Sequence, residues 1–278
     1  MTKALRLPEG LDITKPSPAR IYDYMLRGSH HFDVDVNAAK RLLGAVPELR
    51  DTAWSNRGFH QRAASWMARQ GIRQFLDIGS GLPTVGNTHE VVARVHDDAR
   101  VVYVDNDPMV ELHSQTILEG DSETGARVSV LCADLRDPES ILEHPALRSL
   151  LDPAQPTGLL MTGVMMFVAD SDDPWGLVSR YVRAMGPGSF LSLSHLTDDA
   201  KPPAAVDAFR RVFDAATEHL YFRSKAGVAR FFDGLEIIPP YPGAEAALTY
   251  SGLWGAEDVA LADSDGSRWL YCAVARVP

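Results

Sequence analysis

The stretch Gln74-Phe75-Leu76-Asp77-Ile78-Gly79-Ser80-Gly81-Leu82-Pro83-Thr84 decides how this chain folds. Residues 75–78 read as a short buried strand with Asp77 near its C-terminal end. Gly79 and Gly81 let the backbone turn sharply and leave room for a ligand against the main chain. In an open α/β sheet, ligands sit at the carboxyl ends of strands, beside loops of this kind.

Downstream the chain alternates. Asn87 caps a helix with Glu90 three residues later, in the manner of a capping box, and Val91, Val92 and Val95 form its inner face. A strand over 101–104 runs into Asp105-Asn106-Asp107-Pro108, and a helix is expected over 109–118. A strand over 128–131 ends before Asp134, followed by a helix over 138–150 opened by Pro138. A strand over 159–161, a helix over 174–185 and a strand over 189–194, ending at His195, complete the series. These five strand–helix units predict an α/β fold with a doubly wound, Rossmann-like, mostly parallel sheet. The tail departs from the alternation. Helices are expected over 203–220 and, behind a Ser224 cap, over 224–232. Strands over 235–238 and 269–276 have no long helix between them, which predicts an antiparallel closing pair.

Upstream, residues 1–18 form a polar arm, and helices are expected over 19–26 (ended by Gly28), 36–43 and 52–70. Residues 1–70 thus read as an arm and helical extension covering the cleft, and residues 71–278 as the core of one compact unit.

The 278 residues are 45% hydrophobic, enough for a sizeable core. A formal charge of -10 argues against a nucleic-acid partner or an anionic membrane surface. The longest apolar run, over 158–169, is shorter than the roughly 20 residues a spanning helix needs. A soluble, cytoplasmic protein is expected. Cys132 and Cys272 lie in apolar runs and are expected to be reduced and buried, and no cysteine or histidine spacing suggests a metal site.

Chemistry-bearing residues stand at the ends of successive strands. Asp77-Ile78-Gly79-Ser80-Gly81 is either a plain strand-to-helix turn or a ligand loop. Asp105 is placed to accept both hydroxyls of a ribose, because Asp107, before Pro108, is the better helix cap. Asp134 is either a cap or an acceptor for an adenine amino group, with the Leu135 N–H for a ring nitrogen. Thr162-Gly163 follows the fourth strand. The spacings from Gly79 to Asp105 and from Asp105 to Asp134 each match one strand–helix unit.

This combination resembles the class I S-adenosylmethionine-dependent methyltransferases. A closer resemblance runs through Asn56-Arg57-Gly58-Phe59, the 71–84 stretch, Asn87-Thr88-His89-Glu90 and Val102-Tyr103-Val104-Asp105-Asn106-Asp107-Pro108. It extends to Ala19-Arg20-Ile21-Tyr22-Asp23-Tyr24 with Arg27-Gly28 and Phe32, and to residues 224–238. These segments are similar to the S-adenosyl methyltransferase family long catalogued as a domain of unknown function. The resemblance covers the chain from about Ser17 and implies a seven-stranded sheet with a reversed last strand. It implies S-adenosylmethionine as cofactor, held by Asp77, Gly79, Ser80, Gly81, Asp105, Asn106, Asp134 and Leu135, with Thr162 near the reactive end. The loop lacks the superfamily's third glycine, since Pro83 follows Gly81-Leu82. Arg20, Tyr22 and Arg57 lie in segments that fold toward the loop. An arginine there either pairs with the cofactor carboxylate or ties the N-terminal helices to the sheet.

The expected activity is methyl transfer to a small molecule. A base is needed only for acceptors that must lose a proton, and His195 and His31 are the candidates, with His30 beside the latter. Met165, Met166 and Phe167 read either as acceptor lining or as core, and Tyr221, Phe222, Tyr241 and Trp254 as an aromatic acceptor wall. Two rival readings stay open. One is a non-catalytic S-adenosylmethionine-binding regulatory protein on the same fold. The other is an NAD-dependent oxidoreductase, disfavoured because Gly79-Ser80-Gly81-Leu82-Pro83-Thr84 lacks the last glycine of a dinucleotide loop.

Overall fold

The computed structural model describes residues 8, 10–82, 86–110 and 125–278. Pro83 and Thr84 of the loop, residues 1–7 of the arm, and 111–118 of the helix expected after Pro108 lie outside the described residues.

The core is one sheet with strand order β3-β2-β1-β4-β5-β8-β6. Strands β1 (Gln74–Ile78), β2 (Arg100–Asp105), β3 (Val128–Cys132), β4 (Gly158–Thr162) and β5 (Phe190–Leu196) pair in parallel. β8 (Leu270–Arg276) runs antiparallel between β5 and the short β6 (Glu236–Ile237), so the last strand is reversed, as expected. A two-residue strand, β7 (Thr249–Tyr250), also pairs with β8. All five residues of β1 are buried, which explains its run of apolar side chains around Asp77. The chain builds outward from β1 through β2 to β3, then crosses to β4 on the other side. The topological switch, where ligands collect, therefore lies between β1 and β4.

Several helices differ from expectation for local reasons. The helix expected over 138–150 is two, α5 (Pro138–Leu142) and α6 (Pro145–Leu150). His144 precedes a proline, which disfavours helical backbone, and its ring Nδ1 accepts the Ala146 N–H instead. The N-terminal helices are α1 (Pro18–Met25), α2 (Asp33–Ala45) and α3 (Leu49–Arg69), with α4 (Thr88–Ala93) after the glycine loop. The start of α2 is set by Asp35, whose carboxylate accepts the Phe32 N–H. At the end of α1 the left-handed residue is Arg27, not Gly28. Gly28 N–H bonds back to Asp23 O and Arg27 N–H to Tyr24 O, a Schellman closure. Gly28 is required for another reason, because a Cβ there would collide with the Asp23 carboxylate.

Helix α7 (Pro174–Ala184) covers one face of the sheet together with the short α9 (Lys225–Ala229), which Ser224 caps. Helix α8 (Pro203–Phe213) instead joins α1, α2 and α3 in a separate apolar cluster that includes Leu42, Phe209 and Trp269. Arg20 ties this N-terminal part down. It is 1% exposed, donates to Asp35 Oδ2 at 3.1 Å and to the Asp12 and Lys15 carbonyls, and stands 3.7 Å from Asp107. Ser17 Oγ donates to Asp107 Oδ2, linking the start of α1 to the loop after β2. Cys272 is buried within β8, but Cys132 is exposed, because β3 is the outermost strand of the sheet and Cys132 is its last residue.

Candidate active site

The glycine loop is fixed to β2 from below. Gly79 and Ser80 N–H groups both bond to Val104 O, at 2.7 and 3.1 Å. Gly81 N–H donates to Asp105 Oδ2 at 2.8 Å. Gly79 has φ +67°, and a Cβ there would strike the Val164 side chain. Gly81 has φ +65° but would place its Cβ in open space. The loop is therefore tight on its sheet side and open on its outer side.

That open side belongs to a large cavity, with about 1400 Å³ of empty space, its mouth included. Its wall takes Asp77, Gly79, Ser80 and Gly81 from β1 and its loop, and Asp105 and Asn106 from β2. It continues through Asp134 and Leu135 after β3 and Thr162 and Gly163 at β4. Four neighbouring strands thus deliver their C-terminal ends to one space, at the topological switch.

The electrostatics are those of a desolvated acidic floor. Burial pushes the Asp77 carboxyl up to about 6, against the pull of the Thr88 hydroxyl and the Arg57 charge. Burial likewise raises Asp105 to about 6, although backbone N–H groups of Asp107 and Gly81 stabilise its charge. Both values leave the two groups largely ionised at neutral pH. At the outer end, burial opposes but does not outweigh Arg136, which holds Asp134 below its usual range. Arg136 also meets Glu218, and Glu218 accepts from Asn106 Nδ2 at 2.9 Å. A chain of polar contacts thus crosses the mouth from β2 to β3.

A second network runs under the β1–β4 junction. Thr88 Oγ1 donates to Asp77 Oδ2 at 2.6 Å. With that proton committed, Thr88 Oγ1 accepts from His60 Nε2 at 2.7 Å, and His60 Nδ1 accepts from the Thr162 hydroxyl at 2.8 Å. His60 is held neutral, its pKa lowered to about 3 by burial and then by the Arg57 charge. His60 was not legible as a site residue. The available signal was its helical spacing from Asn56, one turn earlier on α3, where Arg57 also joins the cavity wall.

Three expected site residues stand elsewhere. Arg20 is not on the cavity wall, because its guanidinium is consumed by Asp35, Asp107 and two carbonyls. His195 lies inside β5 rather than past its end and is fully buried. Its Nε2 accepts from Arg223 at 2.7 Å, and burial and that positive charge lower its pKa to about 3. His31 is bound to Asp23, with Nδ1 2.8 Å from Oδ2, and stands edge-on to Tyr24 off the cavity wall. Tyr22 does line the cavity. The expected aromatic wall is also different. Trp254 packs against Phe59 and Trp66 in the core, and the phenyl and phenol rings at the cavity are Tyr22, Phe167, Phe209 and Phe213. Of the three residues at 165–167, Met166 and Phe167 line the space and Met165 is core.

Among the described residues no group of histidine, cysteine and acidic side chains is placed to hold a metal ion, and no helix is long and apolar enough to cross a membrane.

Comparison with known proteins gives a consistent result. Residues 5–278 match the family model described as S-adenosyl methyltransferase. A crystal structure of a proposed methyltransferase from Thermobifida fusca YX is 35% identical, with 99% of each chain covered and a TM-score of 0.86. A DUF574 family protein from Streptomyces avermitilis MA-4680 is 37% identical, with 96% of this chain and 99% of that chain covered and a TM-score of 0.87. An O-methyltransferase family protein from Burkholderia thailandensis, 14% identical, shares the fold over 82% of this chain and 60% of that chain, with a TM-score of 0.52. The search of curated proteins found no match.

Proposed function

The chain belongs to the S-adenosyl methyltransferase family, and from that premise we propose that it transfers a methyl group from S-adenosylmethionine to a small molecule bound in the same cavity. The observation that carries this reading is the convergence of Asp77, Gly79, Gly81, Asp105, Asp134 and Thr162, from four adjacent strand ends, on one cavity wall.

The chain's own groups fit the cofactor. Asp105, ionised and buried, retains lone pairs for ribose hydroxyls beyond those taken by the Gly81 and Asp107 N–H groups. Asp134, Leu135 and Asn106 suit the adenine end. Arg57 and Ser80 suit the amino-acid end, where a guanidinium complements a carboxylate. The open side of Gly81 supplies the cradle. Residues 1–70 act as the cover of the site and residues 71–278 as the core that binds the cofactor.

When bound, S-adenosylmethionine supplies a methyl group on a positively charged sulfur, ready for in-line displacement. The protein aligns an acceptor and excludes water, which the enclosing helices α1, α2 and α3 favour. Where an acceptor must lose a proton, the bonded series Thr162, His60, Thr88, Asp77 offers a path to a carboxylate with a pKa of about 6.

Calorimetric titration with S-adenosylmethionine and S-adenosylhomocysteine tests the reading. Saturable binding is expected, and no heat of binding at millimolar ligand would refute it. Turnover of labelled methyl onto any member of a metabolite library separates a transferase from a protein that only binds the cofactor.

A further inference from the structure

The cavity has two parts of opposite character. The polar part is the strand-end site described above. The other part lies under the N-terminal helices, and its wall takes Leu42, Leu49, Met166, Phe209, Phe213 and Leu220. These same side chains belong to the apolar cluster formed by α1, α2, α3 and α8. Protein interiors ordinarily close to crystal-like density, and a dry apolar cavity that stays open is one that accepts apolar ligands.

No charged side chain among the described residues enters this second part from α2 or α8. The ionisable residues on the wall are Arg57, Asp77, Asp105, Asp134, Arg136 and Glu218, with His60 and Tyr22 between the two parts. Arg57 acts on Asp77 and bonds to Asn87 beside the glycine loop, and the acidic groups and Arg136 are at the strand ends. An ionic guest under the helices would lose its hydration with no counter-ion to offset the loss.

Polar atoms are few there, and most are already engaged. The Thr52 hydroxyl donates to Gly266 O at 2.9 Å. Tyr22 donates its hydroxyl proton to Ala53 O and accepts from Asn56 Nδ2 at 3.2 Å. Asn56 Oδ1 accepts from Ser194 Oγ at 2.6 Å. Among the described residues, the second N–H of Asn56 and one lone pair on the Tyr22 oxygen are left unengaged, side by side. That pair complements a group that both donates and accepts, such as a hydroxyl. Asn56 also sits at the junction of the two parts. A Cβ on Gly163 would meet Asn56 Nδ2 at 3.0 Å on one side and Met166 Cε at 3.7 Å on the other. Around the apolar part, the Phe209 and Phe213 rings are stacked, and Phe167 lies 5.7 Å from Phe213.

We infer that the methyl acceptor is an uncharged, largely apolar ring compound, seated between α1, α2, α3 and α8 with one hydroxyl-type group turned to Tyr22 and Asn56. This rests on the methyltransferase reading, because the group held at that junction is the one brought to the cofactor's methyl.

The test uses the full chain saturated with S-adenosylhomocysteine, titrated with 2-naphthol and with 2-naphthalenesulfonate. The first is an uncharged bicyclic phenol, and the second carries a charge on the same ring. Binding of 2-naphthol is expected, with the sulfonate at least about tenfold weaker, because its charge must be desolvated. Equal or tighter binding of the sulfonate, or binding of neither while S-adenosylhomocysteine binds, would overturn the inference. Failure of S-adenosylhomocysteine to bind would instead remove the cofactor reading beneath it. Phe213→Asp should abolish 2-naphthol binding, and undiminished binding would place the probe elsewhere. If that variant does not fold, Tyr22→Phe serves. It should weaken 2-naphthol about fivefold or more through the lost hydrogen bond, and unchanged affinity overturns the placement.

Discussion

The Asp105 carboxylate accepts the Gly81 backbone N–H at 2.8 Å, so the last residue of β2 and the glycine loop after β1 are held as one piece. The contact uses one lone pair of Oδ2 and leaves the loop open on its outer side. It makes Asp105 a support of the loop as well as the residue proposed to meet the cofactor's ribose. Asp105→Asn keeps the shape and removes the charge. Calorimetry should show S-adenosylhomocysteine affinity falling about tenfold or more at neutral pH, the worth of a hydrogen bond to a charged group. Unchanged affinity would show that the ribose lies elsewhere.

The same group gives binding and stability opposite dependence on pH. Asp77 and Asp105 both have pKa values near 6, raised by burial, against 3.8 in the unfolded chain. Between about pH 4 and 6 the native state therefore binds more protons than the unfolded state, and these two groups make the ligand-free protein more stable as pH falls through that window. The proposed ribose contact uses ionised Asp105, so cofactor affinity should decline as pH falls over the same window. Denaturant midpoints and calorimetric titrations across it check both signs, and parallel rather than opposite trends would contradict the assignment.

Arg20 distinguishes a structural arginine from a cofactor-binding one. Its loss leaves Asp35, which is fully buried, without its ion-pair partner. Arg20→Met should destabilise the fold by about 3–5 kcal/mol in denaturant titrations. The fraction that remains folded should bind S-adenosylhomocysteine as the parent does. A selective loss of affinity with stability intact would restore Arg20 to the site.

His60 is expected to be a neutral Nε2–H tautomer. The Thr88 proton is directed at Asp77, so the Nε2 proton must be directed at Thr88. Nitrogen NMR should show that tautomer with no titration between about pH 5 and 8, since the group ionises near 3. A titration step near the usual histidine range would mean that the ring is not buried in this network.

Gly79 and Gly81 should respond unequally to alanine. Both have positive φ, but only Gly79 would drive its Cβ into Val164. Gly79→Ala should cost about 2 kcal/mol or more, from backbone strain and overpacking together. Gly81→Ala should cost about 1 kcal/mol, from strain alone. Thermal and chemical unfolding of the two variants compares them, and equal costs would contradict the contact.

The parallel order and the strand-end carboxylates were legible in the sequence because they rest on local rules. Buried strands read as apolar runs, glycines mark turns, and a carboxylate just past a strand is fixed in place by that strand's register. Asp77, Asp105 and Asp134 needed nothing beyond the alternation to stand on one edge of the sheet. Sequence by itself also determined the family, since its motifs follow one another along most of the chain.

What only the tertiary structure decided depends on side chains far apart in sequence. His195 and His31 looked available because sequence cannot show that Arg223 and Asp23 take up their rings. Arg20 looked like a cofactor ligand until Asp35 and Asp107 came within reach of it. His60 acquired its place because α3 lies across the ends of β1 and β4, where Thr88 and Thr162 meet it. The apolar lobe combines residues of α1, α2 and α3 with Phe209 and Phe213 of α8, more than 150 residues on. Its shape comes from how those helices pack, which no local periodicity records.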